Sequence, residues 1–76
     1  MSYTHYFTFG QVHVHPETGE SLKDYWIEIV SNSAEKARQK MFELFKTKWG
    51  FQYHEKQFMR FMKQFPKGCY AHYELD

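Results

Sequence analysis

The chain has 76 residues, which allows one domain, residues 1–76. High aromatic content and a formal net charge of only +1 exclude a disordered chain, and no apolar run is long enough to span a membrane. The single cysteine, Cys69, and the lack of a basic-then-apolar leader predict a reducing cytoplasm as the location.

The apolar residues are unusual in kind. Of the 32 hydrophobic residues, 16 are aromatic, and only eleven are Ala, Val, Ile or Leu. A core built from this set consists mainly of rings, and sixteen rings are too many for so small an interior. Several rings are therefore expected at the surface, which indicates a binding protein.

Two strands open the predicted fold. Residues Tyr3–His15 are rich in Thr, Tyr, Phe and Val, with a bulge expected at Gly10. Pro16 and Gly19 predict a turn. Alternation over Leu22–Val30 predicts the second strand of a hairpin, with Tyr25, Ile27 and Ile29 facing the core.

The rest of the chain alternates helices and strands. Asn32 or Ser33 caps a helix that runs to about Lys46, with one apolar stripe. The later predicted elements are a short strand, a second short helix and a last strand, at Trp49–Tyr53, His54–Phe65 and Cys69–Leu75. The expected fold is α+β in the order ββαβαβ. A single mostly antiparallel sheet has the long amphipathic helix on one face, and the uncovered face carries surplus rings.

Charge is distributed unevenly along the chain. Residues 1–30 have a net charge of −3, residues 31–67 of +6 and residues 68–76 of −2. On the second predicted helix Lys56, Arg60 and Lys63 are spaced i, i+4, i+7, and Lys67 follows. Like charges at this spacing repel, which an anionic partner would relieve, although a short helix also needs a solvated face.

Aromatic residues near these cations extend the candidate surface. Tyr53 and Tyr70 are the neighbouring rings, and rings interleaved with cations are typical of single-stranded nucleic-acid or nucleotide binding. The alternative is that these rings supply a core that is poor in aliphatic residues. The residues of the candidate partner or anion site are Lys56, Arg60, Lys63, Lys67, Tyr53 and Tyr70.

Metal binding and catalysis have weaker signals. His13 and His15 are two apart on a strand, so both rings share a face, as a metal pair requires, and His5, His54 or His72 would supply a third ligand. Cys69 and His72 are close in sequence, but an extended strand would point them to opposite faces. The chain is therefore predicted to be no enzyme and to need no cofactor.

Three stretches of the chain carry a resemblance to a known group. They are HYFTFGQVHVHPETGESLKDYW from His5 to Trp26, KWGFQY from Lys48 to Tyr53, and FPKGCY from Phe65 to Tyr70. Together they resemble small, mostly unannotated accessory proteins encoded by bacteriophages and prophages. The resemblance implies a viral origin and an accessory role, and by analogy an inhibitor of host defence.

The expected function is therefore stoichiometric binding without catalysis. The partner is a host defence protein, or its nucleotide or nucleic-acid ligand, held by the basic and aromatic residues. Three alternatives stay open: direct binding of single-stranded nucleic acid, a histidine metal site, and self-association as a homodimer through exposed rings and a free sheet edge.

Overall fold

The computed structural model describes residues 2–10 and 13–75. Its elements are β1 (Tyr3–Thr8), β2 (Tyr25–Ser31), α1 (Ala34–Phe45), β3 (Phe51–His54), α2 (Glu55–Phe58), a 3₁₀ turn (Met62–Gln64) and β4 (Gly68–Glu74). The predicted α+β class and the order ββαβαβ are confirmed. None of the helices among the described residues is long and apolar enough to cross a bilayer.

The four strands form one sheet in the order β3-β1-β2-β4. Strand β1 pairs antiparallel with both β2 and β3, whereas β4 pairs parallel with β2. The sheet is thus mostly antiparallel, as predicted. Because β3 and β4 are its two edges, the segment that joins them has to cross the whole width of the sheet.

The first sheet face packs against α1. Ile27 and Ile29 of β2 are fully buried beside Phe7, and alternation over β2 predicted this inner face. From α1 the residues Ala37, Met41 and Phe45 complete the cluster. Ser33 caps the helix, since its Oγ accepts a hydrogen bond from the Lys36 N–H at 3.3 Å.

The second sheet face is covered too, and here the sequence-based expectation of an uncovered face is wrong. Tyr6 and Trp26 point to this face and are buried under Phe58 of α2. The Phe58 ring stacks on Tyr6 at 4.6 Å between centroids and 11° between planes. Its centroid also lies 5.3 Å from that of Trp26. Rings that seemed surplus therefore form a second core.

The second helix is shorter than the predicted His54–Phe65. Regular α-helix ends at Phe58, and the N–H groups of Phe61 and Gln64 then bond to carbonyls three residues back. A 3₁₀ turn advances about 2.0 Å per residue against 1.5 Å in an α-helix. This greater rise per residue helps the segment cross three strand spacings, roughly 14 Å.

The first strand also ends earlier than predicted. Strand β1 stops at Thr8. Beyond Gly10, whose φ is 68°, the described residues 13–24 extend the hairpin by the single bridge Val14–Ser21. The left-handed glycine leads the chain out of the sheet rather than forming a bulge within it. Val12, expected to face the core, lies outside the described residues.

The contact between Phe58 and the sheet predicts a large effect of truncation. We expect Phe58→Ala to lower the free energy of unfolding by about 3–5 kcal/mol, because it leaves a cavity against Tyr6 and Trp26. Phe58→Leu, which fills part of the cavity, should lose roughly 1–2 kcal/mol. Urea denaturation followed by tryptophan fluorescence measures both.

The adjacent Met59 provides the control, because 66% of it is exposed. Met59→Ala should change the free energy of unfolding by less than about 0.5 kcal/mol. Equal losses for the alanine variants at Phe58 and Met59 would contradict a second core.

Candidate functional site

Three of the predicted cations lie together on the outer side of the segment that covers the second sheet face. Lys56 is in α2, Lys63 is in the 3₁₀ turn, and Arg60 lies between the two elements. All three are exposed. No carboxylate of the described residues lies within ion-pair distance of these three cations. The ion pairs among the described residues are Lys40–Glu43 and Glu28–His72.

The other predicted site residues are divided between the two faces of the sheet. Tyr53 is on the second face, where its ring lies 5.9 Å from Phe58. Tyr70 packs against the first core, 5.1 Å from Tyr25, and the Lys67 ammonium lies 5.5 Å from the centroid of the same Tyr25 ring. The structure therefore does not join all six predicted residues into one surface. Tyr70 and Lys67 are separated from the rest by the sheet.

Two apolar side chains complete the surface around the three cations. Met59 is 66% exposed and Phe61 is 38% exposed, although helical periodicity placed Phe61 inside. The change to 3₁₀ winding turns Phe61 outward, so that its ring covers Tyr53 at 5.6 Å. We name this set the basic–apolar surface; its members are Lys56, Met59, Arg60, Phe61 and Lys63.

His15 of the predicted histidine pair is engaged in the turn before β2. His15 Nδ1 accepts hydrogen bonds from the backbone N–H groups of Glu17 at 3.1 Å and Thr18 at 3.4 Å. Its ring lies edge-on to Phe45 at 5.5 Å. Among residues 2–10 and 13–75, no three His, Cys, Asp or Glu side chains are grouped as metal ligands. The metal hypothesis for His13 and His15 thus gains no third ligand there.

His5, considered as a third ligand, is buried at the end of the first sheet face. Its ring is 6.5 Å from that of His54, the residue paired with it across β1 and β3. Burial lowers the pKa of His5; the backbone hydrogen bond to Ser31 raises it by less, and His54 lowers it further. Its Nε2 atom is buried and has no hydrogen-bond partner in the described chain. His5 is therefore held as the neutral imidazole.

Cys69 and His72 do not point to opposite faces as predicted. The β2–β4 pairing shifts by one residue between Trp26/Cys69 and Ile27/Ala71, so β4 has a bulge there. As a result both side chains reach Glu28, and His72 Nδ1 lies 2.9 Å from Glu28 Oε1. The Trp26 indole N–H donates to Glu28 Oε2 at 2.8 Å.

The charge state of this group opposes nucleophilic chemistry. Burial raises the pKa of Glu28, but hydrogen bonds from Trp26 and His72 and the attraction of His72 outweigh it, so the net pKa is lowered. Burial and the Glu28 carboxylate raise the pKa of the Cys69 thiol. Because the thiolate is the reactive form, Cys69 is deactivated by its surroundings.

In comparisons with known proteins, no family model, no curated protein and no solved structure matches this chain. What the fold defines is an α+β domain whose mixed four-stranded sheet carries a helical segment on each face. The phage or prophage origin expected from the three sequence stretches stays a prediction.

His5 predicts a dependence of stability on pH. Its pKa in the folded protein is below the ordinary value of 6.5, so at pH values between the two the unfolded chain binds more protons. The free energy of unfolding should therefore fall as the pH drops through about 6.5, by at most roughly 1.4 kcal/mol per pH unit from this group. Urea denaturation between pH 7.5 and pH 5.5 measures it.

Two variants isolate the contribution of His5. His5→Phe and His5→Gln will differ in absolute stability, but each should lose the same pH-dependent part relative to the unmodified protein. A wild-type-minus-variant difference that stays constant over this pH range, or grows on acidification, would show that His5 is not held neutral.

Cys69 predicts a change in thiol reactivity when Glu28 is neutralised. Glu28→Gln removes the negative charge that raises the thiol pKa, so alkylation by iodoacetamide at pH 8 should accelerate by roughly threefold. Glu74→Gln, which neutralises the carboxylate at the end of β4, is the control and should leave the rate unchanged. If both variants react at the unmodified rate, the Glu28 carboxylate does not act on this thiol.

Proposed function

We propose that this protein acts without catalysis, by stoichiometric binding of an acidic protein partner through the basic–apolar surface. The observation that carries the proposal is the group Lys56, Arg60 and Lys63, which lie within eight consecutive residues, are exposed and have no carboxylate partner in the described chain. Such a group repels itself in the free protein, and a complementary negative surface removes that repulsion.

Two of the four acidic residues of the hairpin are engaged by other groups. Glu28 is held by Trp26 and His72, and Glu20 accepts a hydrogen bond from the Tyr70 hydroxyl at 3.5 Å. Neither contact involves a residue of the basic–apolar surface. The opposite charges of the two chain regions therefore do not cancel by contact within one molecule.

The apolar members favour a protein partner over nucleic acid. Met, Phe and Arg are enriched at the centres of protein–protein interfaces, where a flexible thioether fits irregular surfaces. Stacking of bases instead needs open ring faces. Here the most exposed apolar side chain is Met59, and the Phe61 ring lies against Tyr53. Single-stranded nucleic acid is the second candidate, supported by the same three cations.

The biological role in this proposal rests on the sequence resemblance to phage accessory proteins. The proposal includes two further points: the partner is a protein of a bacterial host, and binding to this partner inhibits host defence. The charge and apolar character of the surface support binding itself, independently of that role.

The test is affinity capture from a lysate of cells that carry the gene, with matched variants of the two arginines. Arg60→Gln combined with Lys63→Gln should weaken capture of one protein species, bound near 1:1, by about tenfold or more. Arg38→Gln removes the charge of the other arginine, which lies on α1 and outside this surface, and should leave capture unchanged. Raised salt should weaken capture, and nuclease should not.

Three outcomes would overturn the proposal of a protein partner. Capture that disappears with nuclease and has a steep salt dependence assigns the surface to nucleic acid. Sedimentation that shows association of the chain with itself, lost in the double variant, assigns it to a homodimer. Equal loss of capture for Arg38→Gln and for the double variant removes the surface from the interaction.

A further inference from the structure

A second site lies on the other side of the molecule, between α1 and the start of β3. It is an open cleft with a volume of about 380 Å³, near the lower end of the range of roughly 300–1,000 Å³ found for small-molecule sites. We name it the Trp49 cleft; its lining side chains are Arg38, Phe42, Thr47, Trp49, Phe51 and Gln52. None of these residues belongs to the basic–apolar surface.

The loop after α1 builds the floor of the cleft. Lys46, with φ of 58°, ends the helix, and Gly50 N–H donates to the Thr8 carbonyl at 2.8 Å, which ties the loop to β1. Trp49 is held between these points with its ring edge-on to Phe7 at 5.2 Å. The indole is thus anchored on the core and borders the cleft.

Arg38 supplies positive charge at the rim. Its guanidinium carbon lies 5.5 Å from the Trp49 ring centroid and 5.7 Å from that of Phe42. No carboxylate of the described residues forms an ion pair with Arg38. Packing over rings orients a guanidinium while leaving its N–H groups in their own plane, where they bind a phosphate or carboxylate in bidentate fashion.

Polar and aromatic groups complete the lining. Gln52 Nε2 donates to the Ala34 carbonyl at 3.0 Å, which fixes the amide and leaves its Oε1 atom as an acceptor. The Phe42 ring is 42% exposed, whereas Phe51 alternates with Gln52 and its ring lies on the second sheet face, 6.2 Å from Tyr53. A planar ligand that stacks on Phe42 would cover this exposed ring.

We propose that the Trp49 cleft binds a nucleoside monophosphate. The phosphate pairs with Arg38, the base stacks on the exposed Phe42 ring, and an amino group of the base donates to Gln52 Oε1. An anion site alone would leave the Phe42 ring uncovered, and an apolar ligand would leave Arg38 unpaired. This inference does not depend on the basic–apolar surface.

The two tryptophans make the test specific to the site. The Trp49 ring borders the cleft while its indole N–H is buried without a hydrogen-bond partner in the described chain, whereas the Trp26 indole N–H donates to Glu28 in the second core. In an NMR titration with AMP, the Trp49 indole signal should shift and saturate, and the Trp26 signal should stay in place. Adenosine and inorganic phosphate, each with half of the recognised groups, should bind at least about tenfold more weakly than AMP.

The two arginines of the chain, Arg38 and Arg60, provide the matched variants. Arg38→Gln should weaken AMP binding by about tenfold or more, Arg38→Lys should weaken it less, and Arg60→Gln should leave it unchanged. Phe42→Ala should also weaken it. Retained dispersion of both indole signals shows that each variant is folded.

Four results would overturn the inference. They are no saturable shift of the Trp49 signal with AMP at millimolar concentrations, equal affinity for phosphate alone, equal affinity for adenosine, and unchanged binding by Arg38→Gln. Capture of the proposed protein partner should be weakened by the double variant at Arg60 and Lys63 and not by Arg38→Gln. Failure of one proposal therefore leaves the other intact.

Discussion

The stacking of Phe58 on Tyr6 is the contact on which most of this structure depends. Tyr6 is in β1 and Trp26 in β2, the two central strands, and Phe58 touches both. It closes the second sheet face at the middle of the segment that runs from β3 at one edge to β4 at the other. Met62 and Phe65 pack around this contact, and the segment depends on such packing because its regular helix is only four residues long and too short to be stable alone. The fold thus uses aromatic rings where larger domains use branched aliphatic residues.

Local patterns in the sequence carried most of the first core. Alternation in β2 places Ile27 and Ile29 on one face, and the helical stripe with its Ser33 cap defines α1. These features depend on near neighbours, so one sequence shows them directly. The second core was missed because the sequence around positions 6, 26 and 58 does not show whether a ring there is covered by a distant element. Contacts between rings of different elements depend on the tertiary structure.

The same limit explains the candidate site. The cations at 56, 60 and 63 were found from spacing alone, because outward residues in any tight helical winding recur every three or four positions. Tyr53 and Tyr70 were joined to them by closeness to basic residues in sequence, and the sheet order β3-β1-β2-β4 places these two rings on opposite edges and faces. Likewise, strand alternation predicted that Cys69 and His72 lie on opposite faces, whereas a one-residue bulge places both side chains beside Glu28. A bulge of this kind inverts every facing argument beyond it.

Filling both faces of the sheet also determines what the surface becomes. Once Phe7, Phe58 and Trp26 occupy the two cores, rings further along the chain have no interior left to enter, and exposure is forced on some of them. Forced exposure alone would scatter rings among neutral and acidic groups. Instead Phe61 lies in the segment that carries Arg60, and Phe42 lies under the guanidinium of Arg38, each arginine lacking a carboxylate partner in the described chain. An exposed ring beside an unpaired arginine combines two unfavourable features that a bound anionic partner would relieve together. That coincidence, at two places separated by the sheet, is more economically explained by binding than by a shortage of interior.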